Sequence, residues 1–138
     1  MKLASCDGCQ LALLGLGPLL LELGSHLRIV EFGEASSARS DGPFDILLVE
    51  GSVSTDEQAR HLRHLRERTT MLVTIGACAT AGGIQALRGW AGEDVRTAVY
   101  PHPEWVAALP TVTPSRTMCG WMRSCVAAPS MAASWWSC

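Results

Sequence analysis

Two cysteines stand three residues apart near the start of the chain, in Cys6-Asp7-Gly8-Cys9-Gln10, and a third lies in Gly76-Ala77-Cys78-Ala79-Thr80-Ala81-Gly82-Gly83. A two-residue gap lets both thiolates reach one metal or cluster, and it equally suits a redox dithiol. A dithiol of the thioredoxin kind opens a helix after a full strand, whereas here only the stub Lys2-Leu3-Ala4-Ser5 comes first. Zinc asks for four ligands closing a tetrahedron. A [4Fe–4S] cluster also takes four cysteines. Cys6, Cys9 and Cys78 supply three good ligands for either. The glycines at 76, 82 and 83 suit a large inorganic ligand approached by backbone N–H groups. A buried core thiol is the plain alternative for Cys78.

The other chemistry-bearing residues say less. The Gly76–Gly83 stretch lacks the lysine and the Ser/Thr that close a phosphate-binding loop. Glu50, at a strand end, reads as a buried acid beside the site or as a solvated turn residue. His61 and His64 have helical spacing with no other ligand type near, so they read as solvated face residues. Trp105 reads as a packing residue.

The elements that must position these residues follow from periodicity. Residues 10–24 read as a helix broken at Gly15-Leu16-Gly17-Pro18, since proline fits best at a helix start, and Gly24 fits a C-terminal stop. Leu27–Phe32 alternates as a strand does. Phe44-Asp45-Ile46-Leu47-Leu48-Val49 and Met71-Leu72-Val73-Thr74-Ile75 are near-continuous apolar runs, the pattern of buried parallel strands. Between them, Thr55 with Gln58 three residues on is a capping-box pattern, and a helix runs to about Arg68 with Ala59, Leu62 and Leu65 on one face. A loop carrying Cys78, a short helix at 84–89 and a strand at Arg96–Tyr100 complete the expected order. Strand, loop, helix, strand, loop, helix implies an α/β fold of parallel βαβ units. Sites in such sheets form at the carboxyl ends of strands. Glu50-Gly51 and the Cys78 loop both fall there, as does Cys6–Cys9 if residues 2–5 end a strand.

A length of 138 residues gives one domain able to bury a real core. A net charge of −2 offers no basic footprint, so no nucleic-acid partner is expected. Leu11–Leu23 is apolar but interrupted by Gly15, Gly17, Pro18 and Glu22, and is too short to span a bilayer. With no export signal read at its start, the chain is expected in the cytoplasm and not inserted in a membrane. The six cysteines there are expected to be ligands or redox thiols rather than disulfides.

The motif set Cys6-Asp7-Gly8-Cys9-Gln10, Val49-Glu50-Gly51-Ser52-Val53, Gly76–Gly83 continuing through Ile84-Gln85-Ala86-Leu87-Arg88, and Tyr100-Pro101 with Pro103-Glu104 resembles the small, electron-transfer subunit of [NiFe] hydrogenases. The likeness is to the cytoplasmic, cofactor-linked group with sulfhydrogenase delta subunits, related to the 20 kDa-type subunit of NADH:ubiquinone oxidoreductase. It covers about residues 1–114. The respiratory version has adjacent cysteines in its first loop; Asp7-Gly8 between them favours the hydrogenase side. The resemblance implies a flavodoxin-like parallel sheet with helices on both faces. It implies that Cys6, Cys9 and Cys78 bind the proximal [4Fe–4S] cluster, with Glu50 close to it at a subunit interface. The implied partners are a [NiFe] hydrogenase large subunit, which holds the nickel, and diaphorase-type electron-transfer subunits. The chain is then an oxidoreductase component, not catalytic by itself.

The likeness fails after Pro114. The family's fourth ligand lies in a Gly-Cys-Pro motif that should follow Thr111-Val112-Thr113-Pro114. Residues 115–138 instead hold Trp121, Trp135, Trp136, Cys119, Cys125 and Cys138 in no helical or strand period. A single-base slip accounts for this. The codons of Trp121-Met122 necessarily contain GAT, Asp, one base earlier, and those of Met118-Cys119 contain GTG, Val. With permitted codons, residues 117–129 become Asp-His-Val-Arg-Val-Asp-Ala-Glu-Leu-Arg-Gly-Cys-Pro, the missing motif, its cysteine straddling Ala127 and Ala128. The segment 115–138 is thus expected to be an out-of-frame, irregular tail, cluster binding to be impaired, and no distal cluster to be present. Two alternatives stand: Cys119 or Cys125 as a substitute ligand, and a zinc-binding or interaction domain without electron transfer.

Overall fold

The computed structural model describes residues 1–91, 94–107, 109 and 111–118. Its centre is a parallel pair, β1 (Phe44–Glu50) and β3 (Thr69–Ile75), in register from Phe44 opposite Thr69 to Glu50 opposite Ile75. The connection is α3 (Asp56–Glu67), so the βαβ unit expected from the apolar runs is present. The start of α3 follows from its sequence: Thr55 Oγ1 accepts the Gln58 amide at 3.1 Å, and Gln58 Oε1 accepts the Ser54 amide at 2.8 Å. Two of the orphan donors at the helix start are thereby satisfied. Ala59, Leu62 and Leu65 face inward and pack on Leu47, Val49 and Leu72 of one sheet face, with Leu3 and Val53. On the other face Ile46 and Met71 are about half exposed.

The N-terminal stub docks on the free edge of β1. Leu3 donates to Glu50 O at 2.8 Å and Glu50 donates to Met1 O at 3.1 Å, a parallel bridge. Past Gly51 the partner turns over: Ala4 and Ser52 exchange bonds of 3.1 and 2.8 Å in antiparallel fashion. Gly51 has φ +98°, and a Cβ on it would lie 2.8 Å from Leu3 C and Ala4 O, so only glycine lets these backbones approach.

α1 (Gly8–Leu14) and α2 (Pro18–His26) are separate helices meeting at 87°. The break at Gly15–Gly17 falls where the proline predicts it. Gly24 does not stop α2, which runs on to His26. Leu27–Phe32 forms no strand: Leu27 is extended (φ −125°, ψ 139°), but it, Ile29 and Val30 face solvent without a ladder. Alternation specifies a strand only where a neighbouring edge is free to pair.

After β3 the chain enters α4 (Gly76–Ala81) with no intervening loop. Cys78 is therefore helical rather than in a loop. A 3₁₀ turn (Gly83–Ala86) and α5 (Leu87–Ala91) supply the expected short helix. The expected strand at 96–100 is instead α6 (Asp94–Val99). Strand propensity yields here to context. β2 (Ser52–Val53) pairs antiparallel with β4 (Thr113–Pro114), which leads into α7 (Ser115–Met118). That pairing was not legible in the sequence. It brings Ser115, fully buried, against α4, its hydroxyl 3.4 Å from Ala79 O. No single helix among the described residues is long and apolar enough to cross a membrane.

Candidate metal centre

The site lies where the stub, β1 and β3 end. Cys6 leaves the stub, Cys9 opens α1, and Cys78 sits in the first turn of α4. Cys6 is exposed, and Cys9 and Cys78 are half-buried. The turn between Cys6 and Cys9 is held by its own side chains. Asp7 adopts φ +64°, a left-handed conformation that Asp tolerates better than most residues. Its carboxylate accepts Ser5 Oγ at 2.9 Å and pairs with Lys2 Nζ at 2.9 Å. The ammonium of Lys2 holds the Asp7 carboxyl below its usual range.

The three thiols converge. Cys6 and Cys78 both lie near enough to Cys9 for their charge to act on its thiol. Two bare Cα atoms make room for them. A Cβ on Gly76 (φ +79°) would overlap Cys9 Sγ, and one on Gly83 (φ +62°) would sit 2.5 Å from Cys78 Sγ. The glycines singled out at 76 and 83 thus have a steric reason: each gives up a side chain to a sulfur. Gly82 serves the reversal after α4, with φ +91°.

Glu50 is buried at 2% exposure, which settles its two readings in favour of the buried acid. Oε1 accepts the Cys9 amide at 3.2 Å, while Oε2 is buried with no partner among the described residues. Burial first, then the Glu50 carboxylate and the neighbouring sulfurs, push the Cys9 thiol up to about 11. Burial also raises Cys78. An activated redox dithiol needs the opposite shift, a thiol depressed toward neutral pH. Metal binding must therefore displace protons from these sulfurs, as ligand thiols generally require.

Sequence reasoning did not single out Gln85, whose side-chain oxygen lies close to the bare Cα of Gly83, where a Cβ would sit 2.8 Å from it. The signal was the Gly82-Gly83 reversal just before it. His61 and His64 are exposed on α3, as their spacing suggests. Trp105 is not a core packing residue: it is 76% exposed and stacks on His102 at 4.0 Å. Cys119, Cys125 and the rest of the tail from 119 lie outside the described residues. Among the described residues, no three His, Cys, Asp or Glu side chains stand close enough to hold a single metal ion.

The profile of the family described as NADH ubiquinone oxidoreductase, 20 Kd subunit, matches residues 6–116, from the first site cysteine to α7. The chain belongs to that family. It is 41% identical over 86 residues to sulfhydrogenase 2 subunit delta of Pyrococcus furiosus, covering 62% of this chain and 36% of that one. It is 35% identical to the NAD-reducing hydrogenase HoxS subunit delta of Cupriavidus necator, covering 62% and 41%. The match thus spans about two-fifths or less of these relatives' length. A crystal structure of an NAD+-reducing [NiFe]-hydrogenase in the H2-reduced state superposes on 91% of this chain and 77% of its own, with a TM-score of 0.76 and 26% identity. The 20 Kd family fold and the α/β reading of the sequence therefore agree.

The thiols fit the iron–sulfur group that such subunits imply. Two of the three soft donors, Cys9 and Cys78, lie against the bare Cα atoms of Gly76 and Gly83, and Glu50, which holds the Cys9 amide, has a buried carboxylate oxygen with no partner among the described residues. Thiolate donors suit an iron–sulfur cluster and not a hard cation.

Proposed function

We propose that this chain is the electron-transfer small subunit of a cytoplasmic [NiFe] hydrogenase, and that Cys6, Cys9 and Cys78 hold its proximal [4Fe–4S] cluster. One observation carries the reading: three thiols from three separate elements meet at one sheet end, around glycines that a side chain would block. A bound cluster supplies a one-electron relay between a nickel–iron centre and further carriers. The chain's own residues supply the rest. Cys6 and Cys9 present sulfur from a turn locked by Asp7, Ser5 and Lys2. Glu50 fixes the Cys9 backbone, and the α4 backbone fixes Cys78. The partners are a large subunit holding the nickel and diaphorase-type subunits.

The fourth ligand belongs to the segment after Pro114. β4 and α7 bring the described start of that segment, to Met118, back beside Ala79. We further propose that residues from about 115 onward are read out of frame, which removes the Gly-Cys-Pro motif and impairs cluster binding. The end of the family match at residue 116 supports this. Resequencing the locus tests it, and a confirmed uninterrupted frame through Cys138 sinks it.

Anaerobic reconstitution with iron and sulfide tests the cluster. The expected product is brown, with up to about four irons per chain. In the frame-restored chain, loading is complete and survives gel filtration; in the chain as given, it is lower and labile. Stoichiometric zinc, or no metal in either form, overturns the reading in favour of a zinc-binding or interaction domain.

A further inference from the structure

We propose that the outer face of α3, with the hollow between it and the N-terminal stub, is a docking surface for an acidic protein partner, the electron carrier that the cysteine site serves. The electron carrier follows from reading the cysteines as cluster ligands; the surface itself follows from charge and geometry. The chain has a net charge of −2, yet four of its eleven lysines and arginines fall within residues 60–68. From Arg60 to Arg66 the sequence is Arg-His-Leu-Arg-His-Leu-Arg, with no acid. Leu62 and Leu65 are buried in the core and set the orientation of the rest. Arg60, His61, Arg63 and His64 are exposed together, at the spacings of three and four residues that make helix side chains neighbours. These groups are uncommitted. Arg66 and Arg68 are held by carbonyls, Nη1 on Thr69 O at 2.9 Å and Nε on Asp41 O at 2.6 Å. No residue of α3 makes an ion pair among the described residues, although Asp56 and Glu67 stand four residues from Arg60 and Arg63. Like charges on one helix face repel, so the row gains from carboxylates brought by another molecule. A guanidinium takes a carboxylate through two parallel N–H bonds.

An open hollow of about 600 Å³ adjoins this face. Lys2, Gln58, Arg60, His61 and His64 line it, with Glu57 as the one carboxylate among the described wall residues. Lys2 ties the surface to the site. Its Nζ pairs with Asp7 Oδ2 at 2.9 Å, and Asp7 lies between Cys6 and Cys9. A partner seated in the hollow is thus one ion pair away from the cysteine turn. Proteins that exchange electrons meet over small surfaces and are steered together by opposite charge. A net acidic chain with one short basic row fits a protein partner better than nucleic acid, which calls for a basic domain.

The test uses the full metal-free chain, titrated at one neutral pH with short poly-L-glutamate and followed by backbone amide shifts in NMR. The shifts are confined to α3 and the stub. Raising the salt from about 50 mM to about 300 mM weakens binding about threefold to tenfold, because screening shortens the reach of surface charge. Arg60→Glu with Arg63→Glu, both at exposed positions, weakens it about tenfold or more, while Arg28→Glu, exposed elsewhere, leaves it unchanged. Shifts outside α3 and the stub, or wild-type affinity in the double variant, overturn the proposal. So does tighter binding of single-stranded DNA at the same face, which makes it a nucleic-acid surface. A dimer of the free chain that the double variant dissolves also overturns it, and makes the face a contact between copies. Poly-L-glutamate bound as expected by a chain that takes no iron on reconstitution sinks the cluster reading and the electron carrier with it, while the acidic-partner surface stands.

Discussion

Glu50 Oε1 accepts the backbone amide of Cys9 at 3.2 Å, joining the end of β1 to the start of α1 across 41 residues of sequence. The carboxylate is buried, its second oxygen has no partner among the described residues, and its charge falls on the sulfur of the residue whose amide it holds. One side chain thus places a ligand and sets its proton affinity.

That relationship fixes a pH dependence. In the metal-free protein the Cys9 thiol is raised from 9.0 to about 11, so the folded chain holds this proton more tightly than the unfolded chain. The contribution to stability is complete below pH 9 and is lost as pH rises from there toward about 11. Denaturant midpoints measured across this range should fall with pH. Glu50→Gln removes the charge, keeps an acceptor for the Cys9 amide and flattens the slope. A slope equal to that of wild type would falsify the coupling.

Gly76→Ala should abolish the site. The left-handed conformation costs an ordinary residue about 1–2 kcal/mol, and the new methyl group overlaps Cys9 Sγ. The expected result is a lower thermal midpoint and loss of iron on reconstitution. Gly24→Ala is the contrast: it lies inside α2 with open space around it and should gain about 0.5–1 kcal/mol in a thermal melt.

Gly51→Ala acts on Cys6 at a distance. Its Cβ would press on the Leu3 and Ala4 backbone, which has no rotamer to move away. The stub should leave β1 and carry Cys6 from Cys78. Mild oxidation of metal-free protein, read by mass spectrometry, should then yield less Cys6–Cys78 disulfide than in wild type.

The βαβ unit itself is tested at Leu62 and Thr55. Leu62 is fully buried between α3 and the sheet, so Leu62→Ala should cost about 2–5 kcal/mol in denaturant unfolding. Thr55→Ala removes the acceptor for the Gln58 amide and should cost about 1 kcal/mol.

The sequence by itself determined the parts whose physics is local. Apolar runs fixed β1 and β3, a capping pair fixed the start of α3, and Pro18 fixed the break between α1 and α2. Cysteine spacing, with glycines at 76 and 83, marked the site. Leu27–Phe32 and residues 96–100 misled because a strand pattern states only a readiness to pair, and the partner edge belongs to the tertiary structure. Only the tertiary structure decided that Glu50 turns inward onto Cys9, that Gly76 lies bare against Cys9 Sγ, and that Thr113–Pro114 returns to Ser52–Val53. Each of these joins residues far apart in sequence or across a reversal. Its free energy comes from burial and close approach, which no window along the chain contains.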